Sequence, residues 1–297
     1  MTVVIGHRAS EDAVPVQGGK IRDEPTSPLI RYPGGKQKLL SSLLCYLGPA
    51  HTMCERFVEP FVGGGAVFFA LNPKRALLAD ISKDLIDLYR GIRRAPSRVW
   101  QLYSTYEPTR EAYYAARAKD RSCLSLEQRA ALTLYLNRTC FRGMWRVNRA
   151  GRFNVAYGGE DRRWAISQTD MKEVAKRLHG AQLKCSDFET VIDTCNPGDF
   201  IFADPPYSPG ELEPRRDHYI YSQFTFRDHK RLASALRRAT KHSILWALTT
   251  SSHPSIVGLF EGSHVISFSK GTSRRLGILE ADPGEVLICN YDPWEVQ

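Results

Sequence analysis

Asp204, Pro205, Pro206 and Tyr207 follow the apolar run Phe200-Ile201-Phe202, so a carboxylate, two prolines and an aromatic ring stand at the end of an expected buried strand. Each proline fixes its own φ, lacks an N–H and restricts the residue before it. The carbonyls of Asp204 and Pro205 are thereby kept in a stiff, extended turn that a helix cannot recruit. Such a turn suits a planar amine. Asp204 can accept one N–H hydrogen bond, the Pro205 carbonyl can accept the other, and Tyr207 can stack on the attached ring. An ordinary strand-to-loop turn can carry the same four letters, so the rest of the chain has to decide between the two readings.

A second constellation lies upstream. The apolar pair Phe57-Val58 runs into Glu59-Pro60-Phe61-Val62 and three glycines, Gly63, Gly64 and Gly65, before a helical pattern starts near Ala66. A strand, a glycine turn and a helix let the backbone approach a nucleotide-like cofactor closely. The pattern is neither GxGxxG nor the Lys-Ser/Thr loop that cradles phosphates. Further on, Ala76-Leu77-Leu78-Ala79 ends in Asp80, and an acidic tip on a second strand is placed to bind ribose hydroxyls. Before both, Arg31-Tyr32-Pro33-Gly34-Gly35-Lys36 leads into leucines 39, 40, 43, 44 and 47. Their spacing predicts a helix with Lys36 at or just before its start, where a lysine and a ring can close over a cofactor's amino-acid end.

These elements need a rigid frame, and the chain is long enough to build one. Its 297 residues suffice for one large α/β domain with an inserted lobe. A net charge of +9 favours a polyanionic partner. The seven cysteines are odd in number and form no CxxC pair, which suits a reducing cytosol and argues against a disulfide framework or a zinc site. The histidines show no metal-ligand spacing, so no metal is expected. No run is long and apolar enough to cross a membrane, and the first residues lack a signal-peptide pattern. A cytoplasmic protein is expected.

Residues 1–28 mix charged residues, Pro and Gly with little periodicity and read as a flexible extension. From about 91 to 180 a helical pattern interrupts the alternation of strands and helices, as an inserted lobe that carries specificity would. Within it Arg138, Arg142, Arg146, Arg149, Arg152, Arg162 and Arg163 interleave with Phe141, Trp145, Phe153 and Tyr157. Arg149-Ala150-Gly151-Arg152 sits between short alternating runs and reads as a hairpin tip. Cationic side chains there can meet phosphates, and an arginine can bind guanine through two bonds in the major groove. Trp145 and Phe153 read as members of the lobe's own core.

Taken together, the chain resembles the Dam-type DNA adenine-N6 methyltransferases over roughly residues 29–291. The resemblance is carried by RYPGGK (31–36), VEPFVGGG (58–65), LLADISKDLIDLY (77–89), LYLNR (134–138), RVNRAGRFNVAYG (146–158), SDF (186–188), DPPY (204–207) and EVLICNY (285–291), in the family's order. It implies a Rossmann-like, S-adenosylmethionine-dependent α/β sheet over 29–90 and 181–297, with a mostly helical target-recognition lobe containing a β-hairpin over 91–180. It implies S-adenosylmethionine as methyl donor and the exocyclic amine of a flipped adenine in double-stranded DNA as acceptor. By the match, Tyr32, Lys36, Glu59, Phe61, Gly63, Gly65, Asp80 and Asp204 are cofactor positions, and Asp187 and Phe188 flank the cofactor adenine. Tyr32 replaces the family's usual tryptophan with another ring. Arg138, Phe141, Arg142, Arg146, Asn148, Arg149 and Arg152 are the implied DNA contacts. Arg142 stands where members that read GATC commonly carry asparagine. A cognate restriction endonuclease is a further candidate partner, and a monomer or weak dimer is expected. The amine site by itself also suits cytosine N4, adenine in RNA or a protein amide, and a non-catalytic DNA-binding regulator on the same scaffold is the non-enzyme alternative.

Overall fold

The computed structural model describes residues 28–32, 36, 39–148, 151–159, 166–206, 224–268 and 284–294. Tyr207, Arg149, Arg162 and Arg163, the extension before residue 28, Asp217 and His218, and the basic stretch 270–282 lie outside the described residues.

Among the described residues seven strands form one sheet: β1 (Arg56–Glu59), β2 (Ala76–Asp80), β3 (Ala181–Cys185), β4 (Asp199–Ala203), β5 (Leu245–Ser251), β6 (His264–Phe268) and β7 (Glu285–Cys289). Their spatial order is β3-β2-β1-β4-β5-β7-β6. The first five are mutually parallel, and β7 runs antiparallel between β5 and β6. Parallel strands covered on both faces read as continuous apolar runs, and the central strands β2 and β4 are buried along their whole length. Strand order reverses between β1 and β4. Open α/β sheets bind ligands outside the carboxyl ends of their strands at such a reversal. Glu59 ends β1 and Asp204 follows β4 at that point.

The helices are α1 (Leu40–Met53), α2 (Ala66–Leu71), α3 (Lys83–Arg94), α4 (Pro96–Ser104), α5 (Arg110–Arg117), α6 (Leu126–Thr139), α7 (Gln168–Arg177), α8 (Phe188–Ile192), α9 (Phe226–Lys241) and α10 (Pro254–Val257). Residues alternate between two faces along each strand. Phe57, Leu78, Phe200 and Phe202 face one apolar cluster, and Val58, Leu77, Ile201 and Trp246 face the other. The first cluster continues without a break into α4–α7 through Val99, Tyr103, Tyr135 and Met171, so the helical segment over 91–180 shares its core with the sheet. Buried Asp87 of α3 fastens the two at 2.9 Å from Arg129 of α6. The α6 start is set by a capping box between Ser125 and Gln128.

The hairpin expected near 150 is present in outline. Val147 pairs with Phe153 and Cys140 with Tyr157, both antiparallel. Asn148 closes the turn: its N–H donates to the Arg152 carbonyl (2.9 Å) and its side-chain oxygen accepts from the Arg152 N–H (3.0 Å). Tyr113 and Arg117 of α5 both donate to the Val155 carbonyl and hold the hairpin to the lobe.

Candidate active site

A cleft of about 960 Å³ opens at the strand reversal. Its floor is the glycine turn. Gly63 and Gly65 have φ of +45° and +69°, a region that side chains disfavour. A Cβ on Gly65 would sit 2.9 Å from the Phe69 ring, and one on Gly63 would sit 3.0 Å from the Tyr32 ring. Tyr32 therefore lies directly over the turn. The Tyr89 hydroxyl donates to the Gly63 carbonyl from below (2.7 Å).

Asp80 sits where β2 ends and α3 is about to begin. Its carboxylate accepts the Gly63 N–H at 3.2 Å and the Ser82 N–H at 2.9 Å, so it shapes the glycine turn as well as facing the cleft. Burial raises its pKa to about 6 against those N–H bonds. Ile81, beside it, is 71 % exposed and lines the cleft. An apolar side chain left so open offers a flat surface for a ring.

The opposite wall is aromatic. Phe61 and Phe188 stack with ring centroids 5.2 Å apart, and Phe224 packs edge-on to Phe61. His229, buried behind Phe224, meets its ring edge-to-face at 4.8 Å, and burial lowers its pKa to about 4. Asp187 caps α8 by accepting the Glu189 N–H. Arg231 of α9 spans Asp187 (2.8 Å), Glu189 (3.0 Å) and Asp228 (3.1 Å), with its guanidinium over the Phe188 ring.

At the far end, Lys36 and Asp204 meet. The Lys36 Nζ lies 2.6 Å from Asp204 Oδ1 and 2.9 Å from Glu285 Oε1, and its side chain is only 4 % exposed. Thr249 of β5 donates to the same Asp204 oxygen at 2.7 Å. Burial works to lower the pKa of Lys36, but the two carboxylates outweigh it and hold the ammonium above its ordinary value. Burial pushes the Asp204 carboxyl up, Lys36 and Thr249 oppose it, and Glu285 adds to the rise. Glu59 is 3 % exposed, and burial, with Asp204 next in size, raises its pKa well above the usual range. Its Oε2 has no hydrogen-bond partner among the described residues.

This donor set fits an adenosyl amino acid. Asp80 suits a ribose, Ile81 and Phe188 suit a base, and the orphaned Glu59 oxygen suits an ammonium group. Among the described residues no cluster of His, Cys, Asp and Glu could hold a metal.

The structure brings Tyr32, Lys36, Glu59, Phe61, Gly63, Gly65, Asp80, Asp187, Phe188, Asp204, Pro205 and Pro206 to one cleft. Of the expected DNA contacts, Arg146 joins them: it lines the cleft with Trp145 and Val147 and donates to the Asn154 side chain at 2.8 Å. Phe153 is buried against Trp145, as expected of a core residue. Phe141 is exposed, and Arg142 stacks on it from a backbone with φ of +55°. Arg152 is exposed at the hairpin turn. Arg138 is turned toward Tyr103 inside the lobe and lies away from the cleft.

No role for Ile81, Phe224, Arg231, Thr249, Glu285 or Asn137 is legible in the sequence alone. Asn137 is fully buried and clasps Arg31 as a second peptide group would, accepting its N–H (2.9 Å) and donating to its carbonyl (2.7 Å). It ties the segment carrying Tyr32 and Lys36 to α6. Its trace in the sequence is a polar residue closing the run LTLYLN, within the motif LYLNR.

The chain matches the D12 class N6 adenine-specific DNA methyltransferase family over residues 32–272. It is 29% identical to the type II methyltransferase M1.LlaDCHI of Lactococcus lactis subsp. cremoris, across 89% of this chain and 95% of that one. It is 30% identical to the type II methyltransferase M.MjaIII of Methanocaldococcus jannaschii, across 89% and 99%. A DNA N-6-adenine-methyltransferase of Escherichia phage P1 is 35% identical over 79% of this chain, which spans 31% of that longer protein. With a glycine turn, an acidic second-strand tip and an Asp-Pro-Pro turn meeting in one cleft, the chain belongs to the D12 class of N6 adenine-specific DNA methyltransferases.

Proposed function

We propose that this chain transfers the methyl group of S-adenosylmethionine to N6 of an adenine turned out of double-stranded DNA, in the cleft between the glycine turn and Asp204. The observation that carries the reading is the meeting of Asp204-Pro205-Pro206 with Asp80 and the glycine turn at a single strand reversal. Bound S-adenosylmethionine supplies a methyl carbon already activated by its sulfonium. The protein's own work is then positioning and electrostatics.

Asp80 receives the ribose hydroxyls, and Glu59 faces the amino-acid end. Ile81 and Phe188 sandwich the cofactor's base, with Asp187 held at its edge by Arg231. Asp204 accepts one N–H of the target amine and the Pro205 carbonyl accepts the other. These bonds draw the nitrogen toward a tetrahedral, more nucleophilic form. The methylated amine sheds its extra proton readily, so Asp204 acts as an acceptor and need not be a strong base. Turning the base out costs a few kcal/mol, offset by contacts in the pocket.

Residues 91–180 serve in this reading as the target-recognition lobe. Arg146 reads a base edge, and Phe141, Arg142, Asn148, Arg149 and Arg152 contact DNA along the hairpin. The setting we favour is the cytoplasm of a bacterium or of a phage-infected cell. The type II names of two relatives support a restriction endonuclease as functional counterpart. Among the described residues no helix is long and apolar enough to cross a membrane.

The test is chemical. Duplex DNA is incubated with the protein and methyl-labelled S-adenosylmethionine, digested to nucleosides and analysed by mass spectrometry. N6-methyladenine is expected. Label in N4-methylcytosine, RNA or protein would redirect the reading to another planar amine. Tight DNA binding with no binding of S-adenosylmethionine would favour a non-catalytic regulator.

A further inference from the structure

Glu285 belongs to a motif, EVLICNY, that neither the cofactor nor the DNA explains. It opens β7, the antiparallel strand. Because β7 runs against its neighbours, its first residue lies at the edge where the parallel strands end, paired with Ser251 at the end of β5. A parallel strand in that place would start at the opposite edge. The reversed strand thus delivers a carboxylate to the site from a third direction, beside Asp204 from β4 and Lys36 from the turn before α1.

One buried ammonium is shared between two carboxylates, 2.6 Å from Asp204 and 2.9 Å from Glu285. A lysine paired with Asp204 alone would form a neutral couple and bind up the charge that the target amine has to feel. A second carboxylate divides the ammonium's pull and leaves the group of three with a net negative charge. Positive charge moves onto the target nitrogen during transfer, next to Asp204, so a net negative group stabilises the transition state over the ground state.

Resting on the proposed function, we infer that Glu285 is a positioning residue for methyl transfer: by sharing Lys36 it divides the ammonium's hold on Asp204 and strengthens the negative field that the target amine meets there. Among the described residues, the titratable groups that face Asp204 are Lys36 before α1, Glu285 on β7 and Glu59, buried at the end of β1. Glu285 is the member whose charge can be removed without touching a group assigned to substrate or cofactor.

The experiment compares Glu285→Gln and Glu285→Asp with the unmodified full chain in single-turnover methylation of duplex DNA across pH, with S-adenosylmethionine affinity measured by calorimetry. Glutamine keeps the shape and an oxygen for Lys36 but not the charge. The expected result for Glu285→Gln is a transfer rate lower by about tenfold or more, with the cofactor Kd within about threefold of the unmodified chain. The acid limb of the rate should move to lower pH by about half a unit or more, because Asp204 loses a repelling neighbour. Glu285→Asp should keep the limb in its original place. An unchanged rate and limb in Glu285→Gln, or a loss confined to cofactor affinity, would overturn the inference and leave the proposed function standing. If the unmodified chain binds the cofactor but methylates no adenine, both fall.

Discussion

Replacing Asp80 by Asn separates the turn-shaping contacts that the structure shows for this carboxylate from the ribose contact proposed for it. Its two oxygens accept N–H groups from Gly63 and Ser82, and it is 7 % exposed. Asparagine offers one oxygen and one NH2, so one of those backbone donors must face another donor. A buried donor left unpaired costs about 1–3 kcal/mol, which should appear as lost stability in urea. The ribose loses an ionised acceptor, a charge-assisted bond worth about 1.5–3 kcal/mol, or a Kd about 10- to 150-fold weaker.

The pH dependence follows from the raised pKa of about 6. The unfolded group titrates near 3.8, so between these values the folded protein holds the proton more strongly. The contribution of Asp80 to stability is therefore full below the lower value and lost as pH rises through the upper one. Cofactor binding has the opposite sign, because ribose hydroxyls donate to the ionised form. Calorimetric titration of S-adenosylmethionine should give a flat Kd above about pH 7 that weakens toward tenfold per unit well below 6. Asp80→Asn should be weak and flat throughout. A variant that retains the unmodified chain's Kd and its pH slope would refute the assignment of Asp80 to the ribose.

Two further outcomes follow from packing and recognition. Gly65→Ala forces a side chain into left-handed backbone and against the buried Phe69 ring. The two costs sum to about 2–5 kcal/mol in urea unfolding, and a loss under about 0.5 kcal/mol would contradict the left-handed turn at Gly65. Arg146→Ala should erase discrimination at one base pair, worth about 1–3 kcal/mol, in methylation of a library of single-substituted duplexes. A uniform loss across the library would reassign Arg146 to a phosphate.

Much of this was legible in the sequence, and the reasons are specific. Strands β1, β2 and β4 are buried throughout or nearly so, and they read as the apolar runs around Phe57, Leu77 and Ile201. Strands β3 and β6 gave no such run. They are the two edges of the sheet, and only two of the five residues in each are buried. The glycine turn, Asp80 and the Asp-Pro-Pro turn were legible because each must combine a backbone constraint with a polar group at a strand end. Lys36 was expected at the mouth of a helix over the cofactor's tail. It lies before α1 as expected, with its ammonium buried against two carboxylates. Glu285 could not be found by local reading: its place depends on the direction in which β7 runs, which only pairing with β5 decides. Ile81 and Phe224 were hidden for a simpler reason, since an apolar residue in the sequence does not announce that it lines a cleft.

The most direct test of the central claim is the transfer rate of Asp204→Ala on duplex DNA in a single turnover at saturating S-adenosylmethionine. The variant should fold, because Glu285 still partners the buried Lys36. The account predicts a rate lower by about a hundredfold or more, the scale of losing one preorganised transition-state contact. Adenine methylation at close to the unmodified rate would show that the turn after β4 is not where the methyl group is received.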